Sequence, residues 1–160
     1  MSGVQVQFAD PDAGPLPSAA DIEKWVRAAL AGRDAVGGVT VRIVDEVESA
    51  ELNRGYRGID RPTNVLSFPL SLPAGDWGEA QLGDLAVCAA VVSREAAAQG
   101  KPLSAHWAHM VVHGTLHLLG YDHIEGSDAE RMEALEIGIL KHLGYPDPYL
   151  MTDTDERRST

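Results

Sequence analysis

The sequence has little of what would place a protein in a membrane or an oxidising compartment. Cys88 is the one cysteine among 160 residues, so an internal disulfide is impossible and an oxidising compartment is not indicated. The longest apolar run, 85–92, has eight residues, whereas a membrane helix needs about 20. The first residues lack the basic start and apolar centre of a signal peptide. These absences together predict a cytoplasmic protein with no membrane span.

Basic residues are also scarce. The sequence has 13 Lys and Arg and 24 Asp and Glu, which gives a net charge of −11. This balance argues against loose, charge-driven binding to nucleic acid or to an anionic membrane. The deficit is uneven: residues 53–61 carry Arg54, Arg57 and Arg61 against Asp60 alone. An anionic ligand is expected to prefer this short basic stretch.

The length and the hydrophobic patterning predict one α+β domain. Period-two alternation and β-branched runs predict four strands, at about 4–8, 39–44, 65–68 and 82–87, with the third closed by Pro69. Helical spacing and capping residues predict five helices, from a Ser18 cap to Leu30 and over about 46–56, 91–99, 104–119 and 127–143.

The connections between these elements indicate a mixed sheet. A turn-rich loop over 70–79 joins the third and fourth strands, which we therefore expect to be antiparallel. Helices separate the other strands and are expected to pack on the sheet. We expect residues 1–150 to form the domain and residues 151–160 to form a flexible acidic tail.

Three histidines within eleven residues form the most informative pattern of the sequence. His113 and His117 are four residues apart, so on a helix their rings share one face. Gly120 can take a left-handed turn, which lets the chain reverse and bring His123 to the same point. Three neutral imidazoles suit zinc, and a fourth position open to water is typical of catalytic sites. The pattern predicts one zinc ion held by His113, His117 and His123, with three core histidines as the alternative.

The spacing His-x3-His-x2-Gly-x2-His is that of the metzincin proteases, but their general base is missing. Zinc proteases carry Glu directly after the first histidine, and here that residue is Gly114. The absence argues against peptide hydrolysis. We expect Gly114 to leave room beside the metal for a phosphate, and the alternative is close packing of Gly114 against a neighbouring strand.

Two further residues are candidates for orienting the metal ligands. Asp122 adjoins His123, and His109 lies one turn before His113 on the same helical face. A metal-bound histidine usually donates its second ring nitrogen to such a group. The alternative for each is an ordinary structural role, in solvent for Asp122 and in the core or at the surface for His109.

The signature His113-Gly-Thr-Leu-His117-Leu-Leu-Gly-Tyr-Asp-His123 resembles that of the YbeY family, bacterial endoribonucleases of rRNA maturation. The resemblance covers roughly residues 40–150. It continues, in order, through Tyr56-Arg57-Gly58, Pro62-Thr63-Asn64-Val65-Leu66-Ser67-Phe68-Pro69, Leu82-Gly83-Asp84-Leu85 and Ala105-His106-Trp107-Ala108-His109.

The resemblance implies a mixed four-stranded sheet with about five helices and a zincin-like metal helix. It implies a zinc ion on the three signature histidines and cleavage of single-stranded RNA. It also implies maturation of the 16S rRNA 3′ end and ribosome quality control, with the small ribosomal subunit and its assembly factors as partners.

The family's functional arginine falls on Arg57, whose charged fork suits a phosphate and its transition state; the alternative is a surface salt bridge. Arg57 and His113 are the predicted catalytic residues, and Arg54, Arg57 and Arg61 are the predicted RNA contacts. The general base stays open among zinc-bound hydroxide, Asp122 and His109, and the nucleophile between water and the 2′-OH. Two other functions also stay open: an assembly factor with a mainly structural zinc site, and a zinc peptidase.

Overall fold

The computed structural model of the chain describes residues 3–10, 14–33, 37–72, 81–121 and 126–149. The strands of these residues are β1 (Val4–Phe8), β2 (Gly38–Val44), β3 (Val65–Leu72) and β4 (Gln81–Cys88). The helices are α1 (Ala19–Leu30), α2 (Glu46–Arg57), α3 (Ala89–Gln99), α4 (Leu103–Leu118) and α5 (Gly126–His142). The predicted α+β class is therefore confirmed. The predicted tail, 151–160, and the candidates Asp122 and His123 lie outside the described residues.

The four strands form one mixed sheet in the order β1-β2-β4-β3. β1 and β4 both pair with β2 in parallel, whereas β3 pairs with β4 in the antiparallel sense that the sequence predicts. β3 is consequently an edge strand, with β4 as its neighbour.

The predicted end of the third strand at Phe68 is wrong. β3 continues through Pro69, which aligns with Gly83 of β4, and a register shift follows before Leu72. Proline lacks an N–H, but an edge strand tolerates it when that side of the strand has no neighbour to bond. Residues 70–72 of the predicted loop therefore belong to β3, and residues 73–79 lie outside the described residues.

The main hydrophobic core lies between the sheet and the helices α1, α4 and α5. Trp25 of α1 and Trp107 of α4 are both buried in it, as their helical spacing predicts. A smaller cluster on the other side of the sheet contains Cys88 and Leu66, with Leu52 of α2 packed against it. Cys88 is fully buried, so it is a core residue.

The helix α4 is central to the fold and carries two of the predicted metal ligands. It contacts α1, α3 and α5 and also packs against β3 and β4. Gly120 follows it with a φ of 97°, the left-handed turn that the sequence predicts at this position. No helix of the described ranges is long and apolar enough to cross a membrane.

Candidate metal centre and cleft

Four histidines form a row along one face of α4. Steps of three, four and four residues keep His106, His109, His113 and His117 on the same side of the helix. The centroids of neighbouring rings are 6.2, 6.2 and 4.7 Å apart along the row. His106 and His109 are buried, whereas His113 and His117 are partly exposed. The row therefore leads from the interior of the protein to its surface.

The exposed end of this row opens into a cleft of about 480 Å³. The end of α2, the segment leading into β3, β3 itself and α4 form its walls. The residues that line it are Tyr56, Arg57, Thr63, Asn64, Val65, Leu66, Ser67, Pro69, His113 and His117. The structure thus brings both predicted catalytic residues, Arg57 and His113, to one cavity together with His117.

The three arginines of the basic stretch differ in their location relative to the cleft. Arg57 ends α2, where Gly58 takes the left-handed conformation, and its side chain lines the cleft. Arg54 and Arg61 are exposed and are not among the lining residues. A guanidinium nitrogen of Arg54 lies 3.8 Å from a carboxylate oxygen of Asp60. Of the predicted RNA contacts, Arg57 is the one that lines the same cavity as His113.

A buried carboxylate lies behind the cleft, against the row of histidines. Oε2 of Glu136 is 2.6 Å from Nδ1 of His113, and Oε1 is 3.0 Å from Nε2 of His109. The hydroxyl of Tyr149 donates a third hydrogen bond to Oε1. Burial raises the pKa of Glu136, but the hydrogen bonds from His109, His113 and Tyr149 outweigh it and hold the pKa well below its ordinary value.

Sequence reasoning missed Glu136, although the sequence carries a signal for it. The residue lies on α5 one turn from Met132 and one turn from Leu140, and both of these are buried. An acid on the apolar face of an amphipathic helix is unusual, because a buried charge needs partners that compensate its lost hydration. The signal identifies Glu136 as unusual but does not reveal which residues it contacts.

One group of donors among the described residues could hold a metal ion, and a second group is predicted from the sequence alone. Donor atoms of His109, His113 and Glu136 all lie within 4.8 Å of one another, so these three residues form one set. The set predicted from the sequence contains His113, His117 and His123, of which His123 lies outside the described residues. Nitrogen donors from two or three histidines suit zinc and related divalent ions.

The contacts of His113 fit a metal in the cleft. Because Nδ1 of this ring is engaged by Glu136, any bond from the ring to a metal in the cleft would go through Nε2. A histidine ligand with its other nitrogen on a carboxylate is the usual arrangement at metal sites. The ring of His117, whose centroid is 4.7 Å from that of His113, lines the same cavity.

The structure places His109, predicted to orient a ligand, away from the cleft wall. Its ring is hydrogen-bonded to Glu136, which is in turn hydrogen-bonded to His113. These hydrogen bonds therefore connect His109 to His113 through the carboxylate of Glu136. His109 lines a neighbouring cavity of about 530 Å³ together with His106 and Tyr149. Asn64 lines both cavities and marks where they adjoin.

The expectation that Gly114 leaves room for a phosphate is wrong. Gly114 is buried, and a Cβ added there would lie 3.0 Å from side-chain atoms of both Val65 and Leu85. The residue faces the sheet, so the alternative of close packing against a strand describes it correctly. The position still lacks a carboxylate, and the protease base is therefore still missing.

Comparisons with known proteins point to one family. The family model described as "Endoribonuclease YbeY" matches residues 15–144. A protein of Halorhodospira halophila (strain DSM 244 / SL1) named "Endoribonuclease YbeY" is 56% identical over 151 residues, which cover 93% of this chain and 98% of that one. The solution structure of a Thermotoga maritima protein is similar in fold, with a TM-score of 0.56 and 24% identity over 92% of this chain and 99% of that chain.

Proposed function

Because the chain belongs to the YbeY endoribonuclease family, we propose that it is a metal-dependent endoribonuclease that cuts single-stranded RNA. Its proposed place is the cytoplasm, where it acts in 16S rRNA 3′-end maturation and ribosome quality control. The small ribosomal subunit and its assembly factors are the proposed partners. The observation that carries the proposed activity is the cleft in which Arg57, His113 and His117 meet.

The proposed metal is one zinc ion held by His113, His117 and His123. A divalent ion at this position supplies a Lewis acid for a phosphoryl oxygen and lowers the pKa of a water molecule. His113 takes part through Nε2, since Glu136 engages its Nδ1. Three protein ligands leave a position for substrate, which a catalytic metal site requires.

Arg57 is the proposed phosphate-binding residue of the cleft. Its guanidinium is permanently charged and presents parallel N–H donors that match two oxygens of one phosphate. The same donors stabilise the negative charge that grows on the phosphoryl group during cleavage. Arg57 is therefore a catalytic residue in this proposal, whereas Arg54 and Arg61 remain proposed contacts to RNA outside the cleft.

Tyr56 supports the preference for unpaired RNA. The residue is 54% exposed and lines the cleft, and its ring packs on Phe68 with ring centroids 4.6 Å apart. Aromatic rings next to arginine stack on unpaired bases, whereas the bases of a duplex are already stacked on one another. A single strand can place one base on Tyr56 and the adjacent phosphate on Arg57.

With a net charge of −11, the protein offers little long-range electrostatic attraction for RNA. Each phosphate contact adds to affinity and to its salt dependence, and one arginine in the cleft supplies little of either. We therefore propose that the ribosomal partner brings the RNA to the cleft, while Arg57 and the metal act on the bond to be cut.

The test uses the purified full chain on a fluorescent single-stranded RNA, the matching DNA strand and the matching RNA duplex. We expect the single-stranded RNA to be cleaved, with activity lost on chelation and regained on addition of zinc. A 2′-deoxy nucleotide at the cut site then distinguishes attack by the 2′-OH, which it would block, from attack by water.

The other two functions predict different results in the same assay. A metal-loaded protein that binds small subunits but cleaves no RNA would refute the nuclease and support an assembly factor with a structural metal. Cleavage of a peptide library, abolished by chelation, would support a peptidase. In cells carrying Arg57→Ala, the proposed role in rRNA maturation predicts accumulation of 16S rRNA with an unprocessed 3′ end.

A further inference from the structure

The carboxylate of Glu136 forms no part of the cleft wall, yet it contacts a ring that does. His113 lies in the cleft, and its Nδ1 is 2.6 Å from Oε2 of Glu136. The other oxygen, Oε1, contacts Nε2 of His109 at 3.0 Å and accepts a bond from the hydroxyl of Tyr149. Three donors from α4 and from the segment after α5 thus meet at one buried acid of α5.

The chemistry of these contacts determines where the ring hydrogens lie. An ionised carboxylate only accepts hydrogen bonds, so Nδ1 of His113 and Nε2 of His109 must carry hydrogen. Glu136 is 0% exposed, so water cannot replace a partner that is lost. With hydrogen on Nδ1, the neutral ring of His113 carries its lone pair on Nε2.

From this arrangement we infer that Glu136 is the positioning residue of the metal site. Its carboxylate holds His113 in the Nδ1–H form and so presents Nε2 as the ligand nitrogen, while His109 and Tyr149 hold the carboxylate in place. The inference rests on the proposed function, because it requires that the cleft binds a metal. It extends that function by connecting the cleft to the segment after α5 through Tyr149.

Direct metal binding by Glu136 is the competing explanation, since His109, His113 and Glu136 could also hold an ion. Burial argues against it for a catalytic metal, because Glu136 is 0% exposed and His109 is 7% exposed. A substrate must reach an open position on a catalytic ion, and the cleft beside His117 offers that access. If Glu136 positions His113 instead of binding the metal, the ion lies on the cleft side of His113.

The first test reads the tautomer directly and needs no substitution. Two-bond 1H–15N spectra of metal-free protein with 15N-labelled histidine, recorded at pH 8, distinguish Nδ1–H from Nε2–H. We expect the Nδ1–H form for His113 and the Nε2–H form for His109. The Nε2–H form for His113 would overturn the inference.

The second test measures zinc affinity by competition with a chelator in Glu136→Gln. Glutamine offers one acceptor oxygen to three donors, so we expect zinc affinity to fall about 10- to 100-fold. Glu95→Gln is the matched control, because Glu95 of α3 lies 2.9 Å from Nε2 of His106, a histidine of the same row that is not among the residues lining the cleft. Its zinc affinity is expected to stay within about twofold of the wild type.

Tyr149→Phe keeps the test decisive if Glu136→Gln does not fold. Tyr149 is 40% exposed, and its substitution removes one donor to Glu136 while leaving the carboxylate. We expect a smaller loss of zinc affinity, about two- to tenfold. Thermal unfolding of the metal-free variants measures their stability and shows whether a loss of zinc affinity is larger than the loss of stability explains.

The outcomes separate failure of the inference from failure of the proposed function. Wild-type zinc affinity in Glu136→Gln, or in Tyr149→Phe if the former is unfolded, would overturn the positioning role. Zinc retained by His117→Ala but lost by Glu136→Gln would overturn it in favour of Glu136 as a ligand. A wild-type protein that binds no zinc would refute the proposed metal site, and the positioning role with it.

Discussion

Oγ of Ser67 donates a hydrogen bond to the carbonyl oxygen of Gly114 at a distance of 2.9 Å, which joins the edge strand β3 to the C-terminal half of α4. The side chains of Val65 and Leu85 lie so close to Gly114 that a Cβ added there would be 3.0 Å from atoms of each. Val65 and Ser67 also line the cleft. The wall of the cleft therefore depends on a close contact between β3 and α4, which the small residue Gly114 permits.

Gly114→Glu should prevent normal folding rather than convert the protein into a peptidase. A carboxylate between α4 and the sheet would be buried without a partner, so we expect the free energy of unfolding to fall by about 3 kcal/mol or more. Urea unfolding followed by circular dichroism measures this loss.

Gly138 of α5 is the matched control, since it is exposed and no atom lies within 4 Å of a Cβ added there. Gly138→Ala is expected to raise the free energy of unfolding by about 0.5–1 kcal/mol, because alanine favours the helix. A folded, zinc-loaded Gly114→Glu protein with full RNA cleavage would contradict the packing described for Gly114.

Arg57→Ala should leave the fold and the metal content intact but lower kcat for RNA cleavage about 100- to 1,000-fold, because one stabilising donor to the transition state is lost. Arg57→Lys should restore only part of the rate, since an ammonium group cannot bind two phosphate oxygens in parallel. Arg27→Ala is the control, since Arg27 is an exposed arginine of α1 that pairs with Glu23, and its kcat is expected to stay within about twofold of the wild type. Equal rates for Arg57→Ala and the wild type would remove the phosphate-binding role.

Tyr56→Ala should weaken binding of single-stranded RNA by about 1–3 kcal/mol, the contribution typical of one base stacked on an aromatic ring. Tyr56→Phe should bind almost normally, because the ring and not the hydroxyl provides the stacking surface. Fluorescence anisotropy with an uncleavable RNA measures both, and circular dichroism checks that the contact with Phe68 is not needed for folding. If Tyr56→Phe lost as much affinity as Tyr56→Ala, the hydroxyl and not the ring would be the binding group.

Acid should destabilise the metal-free protein partly through His106. Burial lowers the pKa of His106, and the hydrogen bond to Glu95 offsets only part of that effect. The unfolded chain, with a histidine pKa near 6.5, then binds the proton more readily than the folded chain. Stability is therefore retained above about pH 6.5 and falls as the pH drops towards the lower pKa of the folded state.

Urea unfolding of metal-free protein between pH 8 and pH 5 tests this sign. His106→Gln removes the titrating ring, so the slope of stability against pH should become shallower by up to about 1.4 kcal/mol per pH unit. An unchanged slope in His106→Gln would show that another group is responsible.

The order of the elements could be predicted because local signals determine it. Ser18 accepts a hydrogen bond from the backbone of Asp21, as a helix cap does, and Gly100 ends α3 in the left-handed conformation. The extension of β3 through Pro69 could not be predicted in this way. Whether a proline is tolerated there depends on which strand is the sheet edge, and that is a property of the whole sheet.

The cleft shows the same division between local and distant contacts. Helical spacing predicts that His113 and His117 share a face, and the structure places both in one cavity. The contact between His113 and Glu136 spans 23 residues, so no local pattern contains it. The orientation of Gly114 towards the sheet likewise depends on how α4 packs on β3 and β4, which spacing along one helix does not determine.

Both the proposed activity and the role of Glu136 require a metal ion on the cleft side of α4, with Glu136 behind its ligand His113. Anomalous diffraction at the zinc edge from crystals of the zinc-loaded protein tests it most directly. We expect one peak about 2.0–2.1 Å from Nε2 of His113 and from a ring nitrogen of His117, with Nδ1 of His113 still hydrogen-bonded to Glu136. A peak between His109 and the carboxylate of Glu136, or no peak in the cleft, would contradict it.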